Sequence, residues 1–175
     1  IRNCDWSSDV CSSDLLMKVL VTKEKREGEK RVALVPDVVS KLTRAGLEVA
    51  VESGAGLASG ASDAAYVGAE ATITSDVKSA LSGADVILSV QPLTPTEIAT
   101  LKSGAITISF LSPNTFGENI AAAEKASVTA LALELVPRIS RAQSMDALTS
   151  QALCAGYRAA LVAAELSPQI GRAHV

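Results

Sequence analysis

Six short β-rich runs, set apart by stretches with helical spacing, constrain this chain more than any other feature. "KVLVT" (18–22), "EVAVES" (48–53), "ATIT" (71–74), "DVILSV" (85–90), "AITISFL" (105–111) and "VTALALEL" (128–135) are the strand candidates. Between several of them apolar residues recur every three or four positions: Val38, Leu42 and Ala45, then Val77, Ala80, Leu81 and Ala84. Such alternation predicts βαβ units, and hence an α/β fold: an open, mainly parallel sheet with helices on both faces, of the flavodoxin or Rossmann type. "TPTE" adds a helix start, with Thr94 as N-cap, Pro95 at the first helical position and Glu97 completing a capping box.

The last apolar pattern is of another kind. Met145, Leu148, Ala152, Ala155, Ala159, Val162 and Leu166 form one continuous stripe, which predicts a helix about 33 Å long. A crossover needs less, and the small residues Ala152, Ala155, Gly156 and Ala159 permit close packing. The expected organisation is an α/β domain over 17–143 and a connecting helix over 144–168 leading toward a further, dinucleotide-binding domain.

Residues 1–16 and 169–175 are expected to be non-native tails. "IGRAHV" (170–175) can be encoded ATC GGA AGA GCA CAC GTC, whose reverse complement translates as "DVCSSD", the residues Asp9 to Asp14. Two ends of a natural protein have no reason to be reverse complements. Both look like translated sequencing-library adapter, and neither is expected to pack on the domain.

Setting the tails aside changes the available chemistry. Cys4, Cys11, Trp6 and His174 all lie in them, which leaves Cys154 as the one remaining cysteine and no histidine. Neither an internal disulfide nor a Cys/His zinc site can then form, and no metal is expected. A histidine-dependent nucleophile is excluded as well. The net charge is −3; the tails carry Arg2 and Arg172 against Asp5, Asp9 and Asp14, so the remainder stands at −2. That balance offers no basic field for nucleic acid. With 48% hydrophobic but only 3% aromatic residues, the core must be aliphatic. No apolar run approaches the roughly eighteen residues of a spanning helix, and the acidic, serine-rich start is no signal peptide, so a soluble intracellular protein is expected.

Three polar motifs compete for function. "ESGAGLASG" sets Gly54 and Gly56 after a strand, but Gly60 comes one position late for G-x-G-x-x-G. It reads as a turn rather than a dinucleotide loop. "KREGEKRVALVP" reads as a solvated basic loop, with Arg31 the exception: the apolar run beside it would bury its stem and leave the guanidinium able to grip a carboxylate or phosphate. The third motif is "VPRISRAQSMD". In open parallel sheets ligands bind beyond the carboxyl ends of the strands, and Gln91, Asn114 and Arg138 each follow such an end. Gln143 and Asp146, three apart, would share one face at a helix start, with Ser144 as its cap and Asp146 in its first turn. Capping alone does not account for Arg138, Arg141 and Gln143 together.

At these residues the chain resembles the NAD(H)-binding alpha subunit of proton-translocating NAD(P) transhydrogenases. The resemblance is carried by "KVLVTKEKREGEKRVALVPDVVSKLTRAGLEVAVESGAG" and "PRISRAQSMDALTSQALCAGYRAALVAA". It implies direct hydride transfer between NADH on this domain and NADP+ on a partner domain, coupled to proton movement elsewhere. On that reading Arg138, Ile139, Ser140, Gln143 and Asp146 form the cofactor-binding loop. Arg138 and Asp146 would hold the NAD(H) nicotinamide and its ribose, and Gln143 would reach the partner's NADP(H). The resemblance also implies NADP-binding and membrane components as partners, a homodimer in the full protein, and a place at the cytoplasmic face of the inner membrane. Alanine dehydrogenase, of the same fold family, uses a lysine after the fourth strand and a histidine after the next; here "SVQPL" and "ISFLSPN" supply neither. An alanine dehydrogenase-like oxidoreductase and a non-catalytic α/β binding module are the alternatives.

Overall fold

The computed structural model describes residues 17–167. The expectations for residues 1–16 and 168–175 lie outside them. All six strand candidates are strands: β1 Lys18–Val21, β2 Glu48–Glu52, β3 Thr72–Thr74, β4 Val86–Leu88, β5 Ile106–Ser109 and β6 Thr129–Ala132. The helices are α1 Pro36–Arg44, α2 Asp63–Gly68, α3 Val77–Gly83, α4 Pro95–Ile98, α5 Gly117–Lys125 and α6 Ala147–Leu166. The sheet order is β3-β2-β1-β4-β5-β6, with parallel pairings from β3 through to β5. This is a doubly wound sheet whose direction of travel reverses between β1 and β4.

Strand periodicity explains why both faces are covered. Successive strand side chains point to opposite faces. Val19 and Val21 of β1, with Val49 and Val51 of β2 and Val86 of β4, pack on one face against Val39 of α1 and Tyr66 of α2. Leu20 and Ile87, one step out of phase, pack on the other against Leu81 of α3, Ile98 of α4 and Ala123 of α5. Runs buried on both faces must be apolar throughout, which is why β1 and β4 read as continuous Val/Leu/Ile.

Local chemistry places the helices. Pro36 opens α1, and Lys41 and Arg44 in its last turn suit the negative end of the helix dipole. Ser62 caps α2 by accepting from the Ala65 N–H, and Asp76 caps α3 by accepting from the Ser79 N–H. The Thr94–Glu97 capping box forms as expected. The "ESGAGLASG" segment is a turn: Gly54 and Gly60 have positive φ. Gly56 is required for a different reason, since a Cβ there would lie 2.6 Å from the Tyr66 ring and 2.7 Å from the Ala61 carbonyl oxygen. Tyr66 in turn donates its buried hydroxyl to the Leu34 carbonyl, tying α2 to the segment before α1.

Two details of the last segment differ from expectation. β6 stops at Ala132, and a 3-10 turn, Leu133–Leu135, separates it from Arg138, which therefore does not close the strand. Ser144 is not the cap of the long helix. Ser140–Met145 form a second 3-10 segment, and α6 begins at Ala147 with Asp146 as N-cap, its carboxylate accepting from Thr149. Aspartate and serine cap equally well, so local geometry decides. The backbone of 140–145 is already wound into 3-10 turns, and Asp146 is the first residue to leave them.

The chain separates into two compact units, one ending at Leu131 and the other beginning at Ala132. No helix among the described residues is long and apolar enough to cross a membrane.

Candidate functional site

Two groups of polar residues stand out, one in each unit. In the first, the loops after β1 and β4 meet at the carboxyl edge of the sheet, where the winding reverses. They enclose, with the start of α5, a crevice of about 540 Å³ lined among others by Thr22, Glu24, Arg26, Ser89, Gln91 and Phe116. A strand-order reversal leaves a gap because the connections on its two sides leave in opposite directions.

The crevice wall is braced across more than sixty residues of sequence. Glu24 accepts the backbone N–H of Val90 at 2.6 Å and of Gln91 at 3.1 Å, clamping one loop to the other. Burial pushes the Glu24 carboxyl up, against the lowering effect of those two N–H donors. Arg31 grips Glu29 with two nitrogens, Nε at 2.8 Å and one terminal nitrogen at 2.7 Å. Hydrogen bonding from Arg31 holds the Glu29 carboxyl down at about 2. Gln91 joins the network from the other loop, donating Nε2 to Glu29 at 2.8 Å and accepting from Arg26 at 3.2 Å. The Arg31 guanidinium also lies 5.7 Å from the centre of the Phe110 ring. The expected carboxylate for Arg31 is thus present, and it belongs to this chain. At the rim Lys25 pairs with Glu97. Burial raises the Glu97 carboxyl, but the bonds from Lys25 and Thr94 outweigh it and leave it lowered.

The second group is the loop predicted from sequence. Arg138, Ile139, Ser140, Arg141, Gln143 and Ser144 are all exposed, while Ala142 alone is buried. The backbone is internally bonded, with Ala142 N–H donating to the Ile139 carbonyl and Asp146 N–H to that of Gln143. Asp146 accepts the Thr149 N–H at 3.0 Å and also its hydroxyl. The Thr149 hydroxyl and N–H lower the Asp146 carboxyl, and the charge of Arg138 adds to the effect. The loop therefore presents an amide, two guanidinium groups and a carboxylate fixed as the anion. Asn114, the third strand-end residue, is exposed on the loop before α5 and joins neither group. Among the described residues no set of three His, Cys, Asp or Glu side chains could hold a metal.

Sequence reasoning finds Gln91, Arg31 and the 138–146 loop. It misses Glu24 and Ser89. Their surroundings are set by a distant loop, and only the strand order, unreadable locally, would have pointed to the β1/β4 edge.

The fold and these loops define a doubly wound α/β domain of the dehydrogenase kind. The family model for the alanine dehydrogenase/PNT N-terminal domain matches residues 20–155, and the chain belongs to that family. It is 48% identical over 150 residues to the first of the polypeptides that make up the NAD(P) transhydrogenase subunit alpha of Rhodospirillum rubrum, covering 83% of this chain and 39% of that protein. Its identity to the alanine dehydrogenase of Bacillus subtilis is 35% over 149 residues, covering 85% and 38%. A transhydrogenase structure from Sinorhizobium meliloti superposes with a TM-score of 0.81 at 41% identity, over 87% of this chain and 45% of that one. The chain thus spans well under half the length of these relatives.

Proposed function

We propose that this chain is the amino-terminal portion of the NAD(H)-binding component of a proton-translocating NAD(P) transhydrogenase, in which hydride passes directly from NADH to NADP+ bound on a partner domain. The observation that carries the reading is the 137–146 loop: a 3-10 segment ending at a capped helix, with Arg138, Arg141 and Gln143 all exposed. Hydride transfer between two nicotinamides moves no side-chain proton. It needs positioning, and a loop of fixed donors without histidine suits that need.

In this reading Arg138 and Asp146, with Ile139 and Ser140, hold the nicotinamide end of NAD(H), and Gln143 extends toward the NADP(H) of the partner. A carboxylate offers about four acceptor positions, so the cap leaves Asp146 room for a ribose hydroxyl. Residues 17–143 form the α/β domain and 144–168 the connection toward a dinucleotide-binding domain. The further partners are the NADP-binding and membrane components and a second copy of the subunit, at the cytoplasmic face of the inner membrane. The sequence contains no G-x-G-x-x-G. The polypeptide alone is therefore expected to bind NADH poorly, for want of the helix N-terminus that takes the pyrophosphate. Alanine dehydrogenase chemistry is disfavoured by Gln91 and the histidine-free "ISFLSPN" segment.

The test uses a completed subunit with its NADP-binding partner. Gln143→Asn shortens the reach by one methylene and keeps the amide. Stopped-flow hydride transfer should fall by on the order of a hundredfold, the cost of misplacing two reacting groups by about an ångström. NADH affinity should hold, whereas Arg138→Ala should weaken it. Parental transfer by Gln143→Asn, or an equal loss of NADH in both variants, would sink the assignment.

A further inference from the structure

We propose that the crevice at the carboxyl ends of β1 and β4 is a second binding site, for a small hydroxylated oxyanion, with Ser89 at its floor and Arg26 at its rim. The proposal is independent of the 137–146 loop and of hydride transfer.

Ser89 carries the argument. It is only 5% exposed, it lines the crevice, and among the described residues its hydroxyl is a buried side-chain polar atom without a hydrogen-bond partner. Buried hydroxyls are almost always paired, because water is lost and nothing replaces it. A ligand hydroxyl reaching the floor would restore that bond. Pro92, Leu93, Pro95 and Phe116 supply apolar walls, and a volume of about 540 Å³ suits a small metabolite.

Charge at the rim selects the rest of the ligand. Lys25 is neutralised by Glu97, and Arg31, outside the crevice, by Glu29. The Glu24 carboxylate is occupied by two backbone N–H groups and tends toward its neutral form. Arg26 meets only the uncharged oxygen of Gln91, and it pairs with no carboxylate among the described residues. Lys23 is likewise free of any ion pair there. Against these two cations stands one uncommitted acid, Glu118. The surplus is positive, and a guanidinium with spare donors favours a carboxylate or phosphate.

The experiment titrates the 175-residue chain with glycerate and glycerol phosphate, which share hydroxyls but differ in oxyanion, and with glycerol as the uncharged control. Amide shifts of Ser89, Gln91 and Asn119 report occupancy by NMR. Either anion should move them and glycerol should not. Response to glycerate alone identifies an organic acid, and response to glycerol phosphate alone a phosphate ester. Ser89→Ala and Arg26→Gln should each weaken binding about tenfold, the loss of one hydrogen bond to a charged or buried group. Ser89→Ala removes a partnerless hydroxyl, so its thermal midpoint should hold or rise, which separates lost binding from lost folding. Arg26→Gln, at the rim, provides a second variant that folds. If neither anion moves these amides at millimolar concentration, or if both substitutions leave binding unchanged, the proposal fails.

Discussion

The β1/β4 crevice and the 137–146 loop contain the same kinds of side chain and use them in opposite ways. Around the crevice arginine, glutamine and two glutamates bond to one another: Arg31 and Gln91 to Glu29, and Glu24 to the backbone of Val90 and Gln91. On the loop Arg138, Arg141 and Gln143 are exposed, while Asp146 makes its side-chain bonds within the cap. The difference separates polar residues that build a site from polar residues that serve one. The first kind are half-buried and mutually satisfied, because an unpaired buried group is costly. The second kind can stay unpaired because water satisfies them until a partner arrives.

The same contrast holds for apolar residues, and there it predicts the largest effects. Ile87 is wholly buried between the sheet and its helices, while Leu153 on α6 is 73% exposed. Ile87→Ala should cost about 2–5 kcal/mol in urea unfolding. Leu153→Ala should change stability by less than about 0.5 kcal/mol in the same chain. Comparable losses at both positions would mean that α6 is covered in solution, and the contrast between the units would break.

Protonation sharpens the comparison within the crevice itself. The Glu29 carboxyl sits at about 2, below its ordinary 4.5. The folded state therefore holds the anion more tightly than the unfolded chain does. Its contribution is fully present above about pH 4.5 and is lost as the pH falls toward about 2; discounted for solvent screening it is about 1 kcal/mol. Glu24 has the opposite sign: its value is raised, so its ionisation costs stability as the pH rises through that value. Urea midpoints from neutral pH down to about 2 should show the parent losing its advantage over Glu29→Gln as the acid range is entered. A constant gap across that range would place the Arg31 contact outside the energetics of folding.

How much of this is legible in the sequence depends on the range of the interaction. β1 to β6 are readable because a strand buried on both faces must be apolar along its length, and the Thr94–Glu97 box because its partners are three residues apart. The end of β6 is not: the alternation in "LALEL" continues after the sheet has stopped, and pattern alone does not distinguish an edge strand from a 3-10 turn. Nor is the cap of α6, because serine and aspartate are equal candidates and the choice between Ser144 and Asp146 falls to the 3-10 winding of 140–145. Glu24 and Ser89 are invisible for a different reason. Glu24 finds its partners 66 and 67 residues away, and Ser89 is conspicuous only because it finds none.

The smallest expected effect on stability is also the one that separates the two uses of a polar residue at a single position. Asp146 caps α6 through Thr149, and it is also assigned to the NAD(H) ribose. Asparagine caps a helix about as well as aspartate, so Asp146→Asn should leave stability within about 0.5 kcal/mol, whereas Asp146→Ala should lose about 1 kcal/mol with the cap. The two variants separate in a completed subunit titrated with NADH. If the carboxylate holds the nucleotide, Asp146→Asn weakens NADH while the helix stays intact, because the amide offers one acceptor oxygen in place of two. If the residue only caps, Asp146→Asn binds NADH like the parent. The loop would then belong with the crevice wall, as polar chemistry that builds the fold.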